Sequence, residues 1–205
     1  GMPGPFIREE EWQSMLRLLD TLAPAPQYIV GSGSLPPGVP ADFYALLAKK
    51  AAALSAKLIV DTSGEALKQA VRLPIFLIKP NRRELCMLTS RDAGKEGSVE
   101  AMARDIVNEG RCENVVVSLG AEGALLVRRD MRLYVRAPRV RIVSKVGAGD
   151  SMVAGIVACL SRGCRIEEAV KYGVAAGTSA VTTPGSELCR KETTEELYER
   201  IRAGS

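Results

Sequence analysis

The chain has 205 residues, 46% of them hydrophobic and 25% charged, with a formal net charge of +4 at pH 7. That length suits one soluble domain with a substantial core better than two. There is no histidine, which excludes an imidazole base, a histidine-bound metal and a Ser–His pair, and leaves carboxylates, Lys, Tyr and Cys as acid–base candidates.

In chain order, the start "GMPGPFIREEEWQ" is polar and punctuated by proline, which argues against a signal peptide. Trp12, Met15, Leu16, Leu19 and Leu22 then recur at helical spacing, and "YIVGSG" reads as a short strand ending in glycines. A helix around Phe43 to Leu54, the strand "KLIVD", a helix from about Ser63 to Val71 and the strand Ile75 to Ile78 follow. A helix after Asn81, another from Ser98 to Asn108 and the strand "NVVVS" continue the alternation. Short apolar strands separated by amphipathic helices predict βαβ units and a mostly parallel sheet covered on both faces. Beyond Ser118, "GALLVRR" and "RLYVRAP" predict a hairpin around Arg129 and Asp130, and helices are expected from Gly149, Ile166 and Thr193. In such folds ligands sit at the carboxyl ends of strands.

The longest apolar stretch, Met152 to Leu160, is too short to span a bilayer. Cys86, Cys112, Cys159, Cys164 and Cys189 form no C-x-x-C pair, and their odd number and apolar neighbours point to reduced thiols in a cytoplasmic protein without structural zinc. Arg128, Arg129, Arg132, Arg136, Arg139 and Arg141 interleave with strand residues as on a solvated ribbon, and the chain has few aromatics for stacking on single strands. Neither a nucleic acid nor a membrane is therefore expected as a partner.

Four strand-end segments carry unusual residues. "GSGSLPPG" at Gly31 to Gly38 offers glycines and the hydroxyls of Ser32 and Ser34, or simply turns the chain. In "KPNRRE", Asn81 and Glu84 have the spacing of a capping box, or of an amide and an acid that hold a hydrated Mg²⁺ near phosphates. "SLGAEG" at Ser118 to Gly123 is open to a nucleotide phosphate or ribose, yet a hairpin turn explains it equally well. In "VGAGDS", Gly147 and Gly149 can expose successive N–H groups at a helix start that favours anions. Asp150 repels a static anion there, so it is either a helix cap or a base beside an anion that forms only during phosphoryl transfer. No G-x-x-x-x-G-K-[ST] segment is present, so a P-loop kinase is excluded.

"VGAGDSMVAG" at Val146 to Gly155 closely resembles the C-terminal signature of the ribokinase-type (PfkB-type) carbohydrate kinases, and "KPNRRE", "VVSLGAEGALLV" and "GSLPPGVP" resemble companion motifs of its phosphofructokinase branch. "VDTSGEAL", "YGVAAGTSA" and the Leu188–Cys189 pair are most similar to B-type 6-phosphofructokinases, while "KPNRRE" is shared with 1-phosphofructokinases. The resemblance implies a three-layer α/β/α ribokinase-like fold and ATP- and Mg²⁺-dependent phosphorylation of a sugar phosphate, with fructose 6-phosphate converted to fructose 1,6-bisphosphate. Position by position, Asp150 matches the catalytic base, and Gly147, Ala148 and Gly149 the anion hole. Asn81 and Glu84 match the motif that organises Mg²⁺ and phosphates. Ser118, Gly120 and Gly123 match the nucleotide loop, Val174 and Thr178 flank the adenine, and Ser34 matches a sugar-phosphate contact. Ser144, Val146 and the segment Ala180 to Gly185, including Thr183, match a loop for a monovalent cation such as K⁺. Lys145 stands where the family usually has a small polar residue.

The family's Gly-rich acidic sugar-binding start and its β-sheet lid, which also dimerises, have no counterpart in the chain. Residues 1–205 are therefore expected to be the single C-terminal part of a kinase domain, with Gly1 a cloning remnant and "MPG" at Met2 to Gly4 an internal family segment. Little turnover by the chain alone and an exposed sheet edge that favours self-association are further expectations. A 1-phosphofructokinase, a tagatose-6-phosphate kinase and a non-catalytic nucleotide-binding module are the alternatives.

Overall fold

In the computed structural model, residues 4–91, 98–185 and 187–204 are described; Gly1, Met2 and Pro3, on which two of the expectations fall, lie outside that set. The chain divides into two compact units, Gly1–Asn114 and Val115–Ser205.

In the first unit the strands β1 (Tyr28–Ser32), β2 (Lys57–Asp61) and β3 (Ile75–Ile78) run parallel, with Val30 opposite Ile59 and Val60 opposite Ile78. The helices α1 (Glu9–Leu18), α2 (Phe43–Ala53), α3 (Gly64–Ala70), α4 (Arg82–Thr89) and α5 (Val99–Asn108) belong to the same unit. A parallel strand needs a crossover, and the apolar faces of the crossover helices cover the sheet. Accordingly Ile59, Val60, Leu77 and Ile78 are fully buried, along with Leu67, Leu85, Met102 and Ile106. The unit ends along β4 (Cys112–Ser118), beside whose start the amide of Ile75 donates to Arg111 O at 3.2 Å and Nδ2 of Asn114 donates to Phe76 O at 2.8 Å.

Two features of this unit were foreseen only in part. α1 forms where the spacing predicts a helix, but none of its residues is buried, and Met15 and Leu18 are more than half exposed. Trp12 anchors it by packing edge-on to Phe43, with ring centroids 6.2 Å apart. β1 is a terminal strand that pairs with β2 alone among the described residues, and Val30 on it is exposed, as expected of an open edge.

The second unit continues β4 into an antiparallel meander with β5 (Gly123–Val127) and β6 (Arg132–Arg136), the hairpin expected around Arg129 and Asp130. Every residue of β5 is buried, whereas β6 exposes Arg132, Tyr134 and Arg136. The helices α6 (Ala148–Ser161), α7 (Ile166–Ala180) and α8 (Lys191–Arg202) complete it, and α6 and α8 each start within two residues of the expected positions.

α6 and α7 approach closely because glycines face the contact. A Cβ on Gly155 would lie 2.8 Å from that of Ala176, and one on Gly173 would lie 2.5 Å from Cγ1 of Ile156. α8 is tied on by the hydroxyls of Tyr172 and Tyr198, which donate to Glu195 at 2.9 Å and Glu168 at 2.8 Å. No helix among the described residues is long and apolar enough to cross a membrane.

Candidate active site

The predicted site residues divide between the units: Ser34, Asn81 and Glu84 lie in the first and all the others in the second.

In the second unit the approach to α6 is pinned before the helix begins. The amides of Val143 and Ser144 both donate to Val181 O, at 2.8 and 3.3 Å. The Ser144 hydroxyl donates to Gly185 O at 2.9 Å and accepts from the Val146 amide at 3.2 Å. Gly147 then takes the N-cap position in the left-handed region, at φ 75°, and a Cβ there would lie 2.8 Å from Cδ2 of Leu188. Conformation and space both select glycine. On α7, Gly177 is the matching concession, since its Cβ would stand 3.0 Å from Ala148 O.

This helix start has no side-chain cap. The first N–H groups of a helix have no intrahelical acceptors, and the dipole makes that end favourable to negative charge. Asp150 is the third helical residue, from which an acid can reach back to the N-cap amide. It does not: its carboxylate is exposed and accepts no hydrogen bond among the described residues. The cap reading of Asp150 has no bond to support it, and the acid stands free beside open N–H donors.

The remaining residues of the second unit are arranged as follows. Gly120 lies in a single 3₁₀ turn at φ 62°, with open space where a Cβ would point. Gly123 has a structural reason of its own: at φ 109°, its Cβ would fall 2.0 Å from Val135 O on β6. Ser118 ends β4 opposite Ala124. Val174 and Thr178 are buried in α7, where the Thr178 hydroxyl donates to Val174 O at 2.7 Å. Thr183 is buried and donates to both Ala180 O and Glu187 O at 2.8 Å. Ser144, Val146 and Gly185 are thus joined directly by hydrogen bonds, as are Ala180 and Thr183.

In the first unit the carboxyl ends of β1, β2 and β3 carry a polar cluster that sequence reasoning missed. The ring of Tyr44 lies against Gly31, where a Cβ would come within 2.6 Å of Cε1. The Tyr44 hydroxyl and the Thr62 hydroxyl both donate to Gly33 O, at 2.8 and 2.7 Å. Beside them Nζ of Lys79 meets Oδ1 of Asp61 at 3.1 Å, with the lysine side chain only 6% exposed. Burial foremost pushes the Tyr44 hydroxyl above its ordinary value; the neighbouring Thr62 hydroxyl opposes this and the Asp61 charge adds to it. The available signal was a charged residue closing each of two apolar strands, "KLIVD" and "IFLIK". Ser34 follows this clamped carbonyl and is exposed.

Asn81 and Glu84 form the capping box of α4. Oδ1 of Asn81 accepts from the Glu84 amide, and Oε2 of Glu84 accepts from the Asn81 amide, each at 2.9 Å. Glu84 Oε1 has no partner among the described residues, so the carboxylate can cap the helix and still present an oxygen.

These donor sets bear on which ions fit. No group of three or more His, Cys, Asp or Glu side chains that could hold a metal occurs among the described residues. An ion that keeps its own waters, as Mg²⁺ does, needs few protein ligands, and the spare oxygen of Glu84 could meet one of those waters. The loop of Ser144, Val146, Ala180, Thr183 and Gly185 offers carbonyl oxygens, the hard neutral donors that a monovalent cation takes. The Gly185 carbonyl accepts the Ser144 hydroxyl and keeps a second lone pair, whereas the Ala180 carbonyl already accepts both the hydroxyl and the amide of Thr183.

Comparison with known proteins adds to this geometry. Residues 5–193 match the pfkB family carbohydrate kinases. The chain is 38% identical over 198 residues to the ATP-dependent 6-phosphofructokinase isozyme 2 of Escherichia coli, covering 96% of this chain and 64% of that protein. It is 32% identical to the 1-phosphofructokinase of Bacillus subtilis, with 97% and 64% covered. The crystal structure of phosphofructokinase-2 from E. coli in complex with potassium superposes with a TM-score of 0.92 at 38% identity, over 98% of this chain and 65% of that one. The chain therefore spans just under two thirds of the length of these relatives.

Proposed function

Since this chain belongs to the pfkB family of carbohydrate kinases, we propose that it carries the phosphoryl-transfer machinery of an ATP-dependent sugar-phosphate kinase, with fructose 6-phosphate as acceptor. The observation that carries this reading is the start of α6: uncapped N–H groups opened by Gly147 in the left-handed region, with the unpartnered carboxylate of Asp150 beside them.

In the proposed mechanism Asp150 takes the proton of the acceptor hydroxyl as that oxygen attacks the γ-phosphorus of ATP, whose bond to the bridging oxygen breaks so that ADP leaves. The backbone N–H groups of Gly147, Ala148 and Gly149 meet the charge that grows on the moving phosphoryl group. Their rigidity comes from the Val143, Ser144 and Gly177 contacts, so little reorganisation is needed at the moment of transfer. Mg²⁺, when bound, neutralises phosphate charge. Glu84 would hold one of its waters, and Asn81 would orient the carboxylate. Ser34 is assigned to the sugar phosphate, Ser118, Gly120, Gly123, Val174 and Thr178 to the nucleotide, and the loop of Ser144, Val146, Ala180, Thr183 and Gly185 to K⁺. The similarity to the E. coli 6-phosphofructokinase supports fructose 6-phosphate as acceptor, and that to the B. subtilis 1-phosphofructokinase supports fructose 1-phosphate as the second reading.

Calorimetry with MgATP and with each sugar phosphate tests the reading, alongside a coupled assay for ADP. Binding of MgATP is the expected result, and fructose 6-phosphate bound with it supports the first reading of the acceptor. Binding of fructose 1-phosphate in its place would move the assignment to the second reading, and no binding of MgATP would remove the kinase assignment altogether.

A further inference from the structure

Cys159 and Cys164, at the far end of α6 from Asp150, stand in a relation that phosphoryl transfer does not use. α6 ends at Ser161, and Arg162 and Gly163 turn the chain back, Gly163 at φ 81°. The Gly163 amide donates to Leu160 O at 2.9 Å, and the Cys164 amide donates to Cys159 O at 3.2 Å. This is the doubly bonded Schellman ending, in which the residue after the left-handed glycine folds against the residue five positions earlier. Here both of those residues are cysteines.

With one hydrogen bond from Cys164 N to Cys159 O, bond lengths alone keep the two Cα atoms within about 7 Å, the outer limit for a disulfide. In this helix ending the side chains at those two positions characteristically pack against each other. Both cysteines are free, Cys159 buried at 4% exposure and Cys164 half-buried.

We propose that Cys159 and Cys164 are a reversible redox pair, closed to an intramolecular disulfide by a low-molecular-weight disulfide such as oxidised glutathione. The Cys164 thiolate, on the more accessible side, attacks one sulfur of the reagent and expels the first small thiol, forming a mixed disulfide. The Cys159 sulfur then attacks the Cys164 sulfur and expels the second. Two protein thiols are oxidised to one disulfide, the reagent is reduced to two thiols, and the two protons end on those products.

The surroundings set the order of the two steps. Burial foremost, then the contact with Cys164, pushes the Cys159 thiol up to about 12, and the Glu168 carboxylate acts in the same direction while Arg162 opposes it. Cys159 is therefore the less reactive of the two and follows Cys164 as the resolving thiol, attacking as its proton is lost. Closing it staples the end of α6 next to Glu168, which ties Lys171 on α7 to Tyr198 on α8 at 2.7 and 2.8 Å.

The sequence supplies a direct assay. Trypsin cuts after Lys145, Arg162 and Arg165, so the thiols part into peptides 146–162 and 163–165 unless a disulfide joins them. The folded chain is incubated with excess oxidised glutathione, blocked with iodoacetamide under denaturing conditions, digested without reductant and weighed by mass spectrometry. The expected result is most of peptide 163–165 linked to 146–162, released by dithiothreitol, with Cys86, Cys112 and Cys189 alkylated. Five alkylated cysteines, a glutathione adduct that stays on Cys164, or a bridge to any other cysteine would each overturn the proposal. The assay needs neither a variant nor kinase activity.

Discussion

Asn81 and Glu84 hold each other in a reciprocal pair of hydrogen bonds, each 2.9 Å, across the first turn of α4. α6 places Asp150 at the same third helical position and forms neither bond. Two helix starts that read alike as acid-capped thus differ in whether the acid is committed to its own backbone. Asn81→Ala and Glu84→Ala should each lower stability by about 1 kcal/mol. Asp150→Asn should change it by less than about 0.5 kcal/mol, since no bond is lost. Urea midpoints of the three variants decide, and an Asp150→Asn loss as large as that of Asn81→Ala would make Asp150 a structural residue.

The same contrast has a kinetic counterpart under the proposed function. In a kinase of the family's full length that carries this chain, Asp150→Asn should lower kcat by about 10²–10⁴-fold and leave the MgATP dissociation constant nearly unchanged, because the amide accepts no proton and the N–H donors stay in place. Turnover equal to that of the parent would remove Asp150 as the base.

Lys79 and Asp61 form an ion pair at 3.1 Å with little access to water. Lys79→Met takes one partner from the little-exposed Asp61 carboxylate and should cost about 1–3 kcal/mol, and Lys79→Met with Asp61→Asn should recover part of that. Thermal unfolding of the single and double variants checks it, and a double variant no better than the single would show that the charge was never the issue.

Gly120 and Gly123 separate two reasons for glycine within one turn. At Gly120 a Cβ meets open space and only the φ of 62° resists it, whereas at Gly123 a φ of 109° is joined by Val135 O at 2.0 Å. Gly120→Ala should cost about 1–2 kcal/mol, and Gly123→Ala about 2–4 kcal/mol with disturbance of the hairpin. Equal losses in chemical denaturation would contradict the distinction.

Stability should also depend on pH through Glu168. Its hydrogen bond to Lys171 first, and that from Tyr198 next, hold its carboxyl below its ordinary 4.5. A depressed acid stabilises the fold above its unfolded value, and that contribution is lost as pH falls below 4.5 through the folded one. Glu168→Gln should therefore flatten the acid limb of stability against pH while leaving its shape above neutrality unchanged, as followed by urea midpoints.

How much of this was legible beforehand follows from the range of the forces involved. Strand and helix positions are written in local periodicity. "KLIVD" had to be a buried strand because a run of apolar residues that short is stable only when covered on both faces, and the hairpin at Arg129 and Asp130 followed from two apolar runs with a polar turn between them. The capping box of Asn81 and Glu84 was equally visible, because its partners are three residues apart. The motif "VGAGDS" likewise announced a helix start suited to anions.

The alternatives that stayed open each turned on a partner distant in sequence. Whether Asp150 is bonded to its backbone depends on how α6 is seated, and that is decided by Gly177, Val181, Gly185 and Leu188, far along the chain. The exposed apolar side of α1 was invisible to a periodicity that records which residues share a face but not what meets that face. The Lys79–Asp61 pair and the doubly bonded Gly33 carbonyl arise where neighbouring strands end at the same level. The sequence by itself determined the elements, their order and the residue types offered to a phosphate. Only the tertiary structure decided which polar groups are spent on the fold and which are left free, because hydrogen bonds and ion pairs are made between atoms near in space and not between positions near in the chain.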